Sequence, residues 1–321
     1  MRKKASPIFR SSEKHPQSPT FNLSIKLKGF TIVELLVVIV VIGILAAITI
    51  VSYTGISSRA TIASMQSDLS NASNLLKLDQ VSSGDFPTSL TLANGGKGII
   101  PNPSLDDYKY TVDNTSNPKN FCLQYREGTN TYAIDNDSAV SKGVCLTNLV
   151  TNGDFRNGTT GWVISSNATI TGSQIIFTAN SVNMYFLQSN LYTPNSKSGN
   201  KLYIKLNIVS NTLVGTGYIR VGGYGGNDFC NQNDISSVNT SIPIGNISKI
   251  ITVREAAGND NQSTIFLLAT YTSGSMIIDD VEIIDLTTAF GAGNEPTQAQ
   301  MDTIISNYPN SWFNIVAKAN L

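Results

Sequence analysis

The chain has 321 residues, with 22 Lys or Arg against 22 Asp or Glu, and its length suggests about two domains. Residues 1–29 hold seven of the basic side chains (Arg2, Lys3, Lys4, Arg10, Lys14, Lys26, Lys28) and one acid, Glu13, which leaves 15 basic against 21 acidic side chains elsewhere, a net of −6. Such an acidic body is a poor partner for nucleic acid, whose capture rests on Lys and Arg displacing counterions; and because the sole histidine, His15, lies in the basic block, removal of that block excludes a histidine general base, a Ser-His-Asp triad and any His-ligated metal site.

The basic block is rich in Ser and Pro and is expected to be disordered, and its charge fits a segment kept in the cytoplasm by the positive-inside rule. It runs into Phe30–Val51, an apolar stretch whose only charge is Glu34. A helix needs roughly 20 apolar residues to cross a bilayer, so the stretch is long enough. A secretory signal has a shorter apolar core with a small-residue cleavage site behind it; here the processing site lies in front, at Gly29-Phe30. An acid within an apolar span is costly and usually has a partner. The candidate is the α-amino group that cleavage would create on Phe30; the alternative is a residue at the membrane edge that reaches the headgroups.

The stretch KGFTIVELLVVIVVIGILAAI resembles the prepilin N-terminus of type IV pilins and of type II secretion pseudopilins. The resemblance implies that a membrane peptidase cuts after Gly29 and methylates Phe30, and that Glu34 neutralises the N-terminal ammonium of a neighbouring subunit as a filament grows. It implies as partners other pilin subunits, alike or different, the prepilin peptidase and an inner-membrane assembly platform. It also implies a single-pass stay in the cytoplasmic membrane followed by an extracellular pilus at the cell surface. One departure is Val51-Ser52-Tyr53, where many family members have a helix-kinking Pro; Gly43 is then the weak point of the apolar helix.

Beyond Val51, Ile62, Met65, Leu69, Ala72 and Leu76 recur at spacings of three and four, one face of a helix. The pattern predicts a single helix of about 50 residues ending near Lys77. Gly84-Asp85-Phe86-Pro87 breaks it, and Tyr108–Val112, Phe121–Tyr125 and Thr131–Ile134 read as strands of a small antiparallel sheet. The GDFP, FCLQY and TYAI stretches resemble a pilin or pseudopilin head. Cys122 and Cys145 would pair in an oxidising compartment, closing a loop worth roughly 3 kcal/mol; the alternative is two buried free thiols. Between them, Asp135-Asn136-Asp137-Ser138 is either an ordinary Asp/Asn turn or the calcium loop that some pseudopilins carry.

From Thr147-Asn148 to about Ile284 short β-rich runs alternate with Gly, Asn and Ser turns, among them Trp162–Ile164, Gln174–Phe177, Lys201–Val209, Gly217–Val221, Lys249–Val253, Ile265–Ala269 and Met276–Ile284. Repeated strands without long helices predict a β-sandwich, with Leu202, Ile204, Leu206 and Ile208 facing inward and Trp162 in the core. The opening NLVTNGDF with Gly161-Trp162 and the closing MIIDDVEI resemble the two ends of jelly-roll carbohydrate-binding modules. That resemblance implies adjacent ends sharing a structural calcium, for which Asn152, Asp154 and Asp280 supply oxygen ligands; Arg156 stands where an acid often follows the Phe. Sugar sites use exposed aromatic faces, and the candidates are Tyr185, Tyr203, Tyr218, Tyr224, Phe229 and Tyr271, with core or rim positions as the alternative. The Gly-rich stretch Gly222–Asp234 is the candidate binding loop, through Tyr224, Asn227, Asp228 and Phe229. Cys230 within it has no partner cysteine in this domain, so it is a free thiol or an intermolecular link. A short helix follows at about Thr297–Asn307, with Asn294 as candidate cap and Pro296 near its first turn. The FGAGNEPT and YPNSWF stretches resemble the end of sandwich domains in Gram-positive phage tail and surface proteins, which implies surface recognition.

The expected fold is thus an α+β pilin, a long N-terminal helix plus a small antiparallel sheet, followed by an all-β jelly-roll sandwich with a short C-terminal helix. Its parts are a cleaved leader (1–29), a pilin domain (30–146, with helix halves 30–51 and 52–78 and a head at 79–146), the sandwich (147–288) and a helical tail (289–321). The expected function is a pilin-like filament subunit, minor or at the tip, that displays a lectin-like sandwich for surface or glycan adhesion. The alternative is a pseudopilin of a secretion or DNA-uptake system. Catalysis is not expected: without His a hydrolase would need paired carboxylates, and Asp279 and Asp280, adjacent in a strand, point to opposite faces. No cofactor is required beyond the candidate structural calcium, and no nucleic-acid partner is expected.

Overall fold

The computed structural model describes residues 29–99, 108–115, 118–128, 130–180, 184–188, 199–223, 242–253, 263–308, 313 and 316–320. The leader up to Lys28, the candidate loop residues Tyr224, Asn227, Asp228 and Phe229, and Cys230 lie outside them. The chain forms two compact units that divide between Ser58 and Arg59.

The first unit is the apolar part of helix α1 (Ile32–Ser83). Its side chains are exposed all round, Phe30 and Ile32 at more than four fifths. A helix apolar on every face has no water-side face and belongs in lipid or among other helices. At 1.5 Å per residue, Phe30–Val51 spans about 33 Å, matching a hydrocarbon core of about 30 Å.

The second unit begins with the remainder of α1, where Met65, Leu69, Ala72 and Leu76 are buried, as the stripe of apolar residues predicts. The helix runs on past Lys77 to Ser83 because Asp79 anchors it: its carboxylate accepts from the Asn94 amide (2.5 Å) and the Gly95 amide (2.9 Å). Gly84, at φ +86°, then donates to the Gln80 carbonyl and ends the helix in the left-handed conformation that glycine tolerates.

The described strands follow in chain order: β1 (Tyr108–Asp113), β2 (Asn120–Glu127), β3 (Asn130–Asp135), β4 (Ser141–Thr147), β5 (Val163–Ile164), β6 (Ala168–Thr171), β7 (Gln174–Thr178), β8 (Met184–Leu187), β9 (Lys201–Asn211), β10 (Val214–Gly223), β11 (Gly245–Thr252), β12 (Ser263–Ser273) and β13 (Ser275–Asp285). Helices α2 (Leu286–Phe290) and α3 (Gln298–Ser306) and a last strand, β14 (Val316–Asn320), complete the chain. They build three sheets, β1-β2-β3-β4-β14, β10-β12-β8-β5 and β11-β9-β13-β7-β6, whose neighbouring strands are antiparallel.

The first sheet packs on α1 through Phe121, Leu123, Tyr125 and Ile134, with Phe86 closing one end at 4.9 Å from the Phe121 ring. β3 pairs with β4 only at Tyr132↔Lys142 and Ala133↔Ser141, after which β4 leaves it. The gap between β2 and β4 is bridged by a disulfide between Cys122 and Cys145, Cα atoms 5.7 Å apart, and by Gln124 Oε1, which accepts from the Cys145 amide. The expected pairing is therefore present. Replacing both cysteines with Ala is expected to lower stability by about 3 kcal/mol, and equal melting temperatures for the wild type and the double variant would contradict a structural role.

The other two sheets face each other across one core, made by Leu202, Ile204, Leu206 and Ile208 from β9, Ile278 and Ile283 from β13, Phe177 from β7 and Phe186 from β8. Trp162 is buried there beside Phe155 and Phe186, as expected. This is the predicted β-sandwich. Tyr271 is also in its core and cannot offer a sugar-binding face.

The sequence pattern leaves the opposite face of β9 in solvent, and here the structure differs. Tyr203 and Lys205 are buried, because α2, α3 and the last strand cover that face. Tyr203, Ile284, Leu286, Phe290, Met301, Ile305 and Phe313 form a third core with Val144 and Leu146 of β4 and Ala317 and Ala319 of β14. Helix α3 is capped by Thr297, in a reciprocal capping box with Gln300, and not by Asn294, because Thr-x-x-Gln places both partners one turn apart. The tail is not helical throughout: β14 pairs with β4 from Val316↔Thr147 to Asn320↔Gly143. The sandwich is consequently an insertion between two neighbouring strands of the head sheet.

Candidate functional site

Gly29 and Phe30 lie exposed immediately before α1, with Phe30 at 82%. Thr31 and Glu34 close a reciprocal cap over the first turn. The Thr31 amide and hydroxyl both donate to Glu34 Oε2 (2.8 and 2.9 Å), and the Glu34 amide donates to Thr31 Oγ1 (3.2 Å). Thr-x-x-Glu ahead of an apolar run is a capping-box pattern, so the spacing alone marks Thr31 as a partner of Glu34. Its consequence is physical: in a lone subunit the carboxylate already has two donors within its own turn. Any cation that approaches the carboxylate must compete with these two donors, whose bonds are themselves charge-assisted because the acceptor is ionised.

At the sandwich end, the loop after β4 lies tightly on β13. The Val281 amide donates to the Gly153 carbonyl (3.0 Å), and a Cβ on Gly153 would collide with the Val281 carbonyl oxygen. The β9–β13 register slips between Asp279 and Glu282, a bulge in which Asp280 takes φ +50°. Loop and bulge bring Asp154, Asp279 and Asp280 into one electrostatic neighbourhood. Burial first, and then the Asp279 charge, push the Asp280 carboxyl up to about 6; burial, opposed by Lys205, pushes Glu282 up to about 7. Lys205 Nζ stands 3.6 Å from Glu282 Oε2, both side chains almost fully buried, and Glu282 Oε1 accepts from the Phe313 amide (2.9 Å).

Of the three expected calcium ligands, Asn152 does not join the two aspartates. Its Nδ2 donates to the Gly158 and Thr160 carbonyls and its Oδ1 accepts from the Asn157 amide, so the side chain is used up within its own loop, while its carbonyl takes the Trp162 indole N–H. Among the described residues no group of three or more Asp, Glu, His or Cys side chains could hold a metal ion. The residues present do not fit a shared calcium. The Asp135 turn also has a plain account: Asp135 Oδ1 accepts from the Asp137 and Ser138 amides.

Each of these two raised carboxyls contributes stability that is greatest at acid pH. A carboxyl whose folded pKa exceeds its unfolded value binds more protons when folded, so its contribution is complete below about pH 4 and is lost as pH rises through its folded value. For Asp280 and Glu282 that window is about pH 4–7. The melting temperature is expected to be higher at pH 5 than at pH 8, and to lose most of that difference in Glu282→Gln.

Among the aromatic candidates for a sugar surface, Tyr203 is buried with its hydroxyl donating to Asp302 Oδ1 (2.7 Å), and Tyr185 is half-buried on β8. A recess of about 810 Å³ runs beside α3, lined by Phe290, Pro296, Ala299 and Ile304 with Asn294, Glu295 and Gln300.

Residues 26–50 match the prokaryotic N-terminal methylation motif. Fimbrial protein EcpC of Eikenella corrodens is 32% identical over 152 residues, covering 44% of this chain and 84% of the relative. The chain belongs to the type IV pilin-like fimbrial proteins. Two solved structures are similar to its sandwich region: a CBM4 module at 16% identity (40% of this chain, 97% of the module, TM-score 0.31) and the mannan-recognising carbohydrate-binding module TmCBM27 at 11% (45% and 99%, TM-score 0.29). Both likenesses are weak, and the sandwich is established by its own two sheets. Membership in the fimbrial family means assembly with other pilin subunits, handling by a prepilin peptidase, and membrane anchoring that precedes a place in a surface pilus. The exposed apolar α1 is the element suited to both environments.

Proposed function

We propose that this chain is a minor or tip subunit of a type IV pilin-like filament and that its inserted sandwich is an adhesion domain for a surface glycan. The observation that carries the reading is the insertion itself: the sandwich is spliced between β4 and β14 of the fimbrial head and cemented to it by a third core. A binding domain so mounted presents its ligand face without a flexible tether. The glycan preference rests on the likeness of the sandwich's opening and closing stretches to carbohydrate-binding modules, and no bond cleavage accompanies binding. In the same reading the subunit waits as a single-pass protein of the cytoplasmic membrane, docked to the assembly platform. Cleavage after Gly29 and methylation of Phe30 release it for assembly, and Glu34 then receives the neighbour's N-terminus.

Filaments sheared from cells test both halves. Mass spectrometry is expected to find the chain beginning at N-methylated Phe30, and the same filaments are expected to bind a subset of an immobilised glycan array, with loss of binding when residues 150–284 are deleted. Gly29→Ala is expected to leave only the longer form in membranes. Filaments that carry the chain yet bind no glycan would refute the adhesion half alone.

A further inference from the structure

Residues 291–297 join α2 to α3 and are pinned by a buried carboxylate. Glu295, 5% exposed at its side chain, accepts from the Thr287 hydroxyl at Oε1 (2.7 Å) and from the Gly293 amide at Oε2 (2.9 Å), with Lys201 Nζ of β9 3.4 Å from Oε2. Beside the loop the Arg126 guanidinium of β2 donates to the Ala289 carbonyl (2.8 Å) and occupies the space that a Cβ on Gly291 would need, so close packing and a φ of +89° both call for glycine there. On the other side the Thr297–Gln300 capping box starts α3. The walls of the 810 Å³ recess beside α3 are therefore set before any ligand arrives, which lowers the ordering cost of binding.

The recess has an apolar part, to which Pro296, Ala299 and Ile304 contribute, and a polar part with defined capacities. Gln300 Oε1 is held by the Thr297 amide and hydroxyl (2.8 and 3.0 Å), which leaves its Nε2 as a donor. Thr303 Oγ1 gives its proton to the Ala299 carbonyl (2.9 Å) and is left as an acceptor, and the exposed Asn294 amide offers both. Glu295 is spent on the loop, and among the described residues no Lys or Arg lines the recess. An anionic ligand would find no cation here, and a wholly apolar one, such as an acyl chain, would leave the amides without partners. A neutral sugar suits both parts, its hydroxyls pairing with the amides and the Thr303 oxygen while its C–H faces lie on the apolar side chains.

We propose that this recess is the seat of the glycan and that the glycan is a neutral oligosaccharide, an inference that rests on the adhesion reading above. The site lies outside the two facing sheets, against the third core that joins the sandwich to the head. Deleting residues 150–284 would remove Lys201 and the β9 face beneath α3, so the recess is lost together with the sandwich.

The test applies the full-length chain in detergent to an array of immobilised neutral and acidic oligosaccharides, for the wild type, Ala299→Arg and Asn294→Ala, with the melting temperature of each as a check on folding. Both positions are exposed, so both variants are expected to melt with the wild type. The wild type is expected to bind neutral members of the array. Ala299→Arg, which fills the recess, is expected to lose that binding by about tenfold or more, and Asn294→Ala to weaken it by about fivefold, the worth of one neutral hydrogen bond. Variants that bind as the wild type does would overturn the recess as the site and leave the adhesion reading standing. A wild type that takes only acidic glycans would overturn the proposal too, and so would a loss of binding seen only with a lower melting temperature, which would be an effect on folding. A wild type that binds no glycan at all would remove the adhesion reading, and the site with it.

Discussion

Glu34→Ala is expected to leave the subunit in the membrane and to remove it from filaments, lowering its filament-bound fraction by about tenfold or more. The size follows from the medium: an unpaired charge among apolar helices is worth more than one decade of equilibrium constant. After processing, the charge left without a partner would be the ammonium of a neighbour's Phe30. The lone subunit suffers less, because the carboxylate's local partner is Thr31, whose amide and hydroxyl are neutral donors, so the substitution leaves no unpaired charge there. Membrane insertion and assembly therefore separate in this variant. Thr31→Val makes the complementary change, removing the hydroxyl that holds Glu34 in the isolated helix while keeping the carboxylate. It is expected to insert and to assemble, with a helix start weakened by about 1 kcal/mol. Quantitative immunoblots of sheared filaments against membranes read both variants, and normal filament content of Glu34→Ala would remove the assembly role.

The difference between what was legible and what was not follows the range of the interaction that decides each element. The stripe of Met65, Leu69, Ala72 and Leu76 is a local periodicity, and it appears in the core as read. The Thr31–Glu34 cap is equally local and could have been read from spacing alone. Tyr203 and Lys205 could not, because alternation along β9 reports one buried face, and the second is buried by residues some 80 to 110 positions later. β4 and β14 are short strands with little apolar pattern, and each is defined by the other across more than 160 residues of inserted chain. Asn152 illustrates a different limit. Its amide serves equally as an ion ligand or as a loop brace, and only the positions of the Gly158 and Thr160 carbonyls and the Asn157 amide decide for the brace.

Removing the last residues, from Val316 onward, is expected to destabilise the head as strongly as any core mutation. If the tail were an appendix to a finished sandwich, the deletion would be silent. Instead β14 supplies the edge partner of β4 over five residues, and at about 1 kcal/mol per net backbone bond this pairing is worth about 3–5 kcal/mol. Ala317 and Ala319 also leave the third core. Lys318 loses its bonds to Ser138 Oγ and the Ala139 carbonyl (both 2.6 Å), which tie the tail to the turn between β3 and β4, and the Tyr308 hydroxyl loses the Lys318 carbonyl it donates to. The total is comparable with the lower end of a domain's whole stability, about 5 kcal/mol. The uncovered β4 carries Cys145, so loss of the strand should also open the disulfide to reductant. Mild reduction followed by thiol labelling is expected to modify Cys145 in the truncated chain and not in the intact one. Equal protection in both would mean that β4 holds its place without β14 and that the sandwich is not structurally coupled to the head through it.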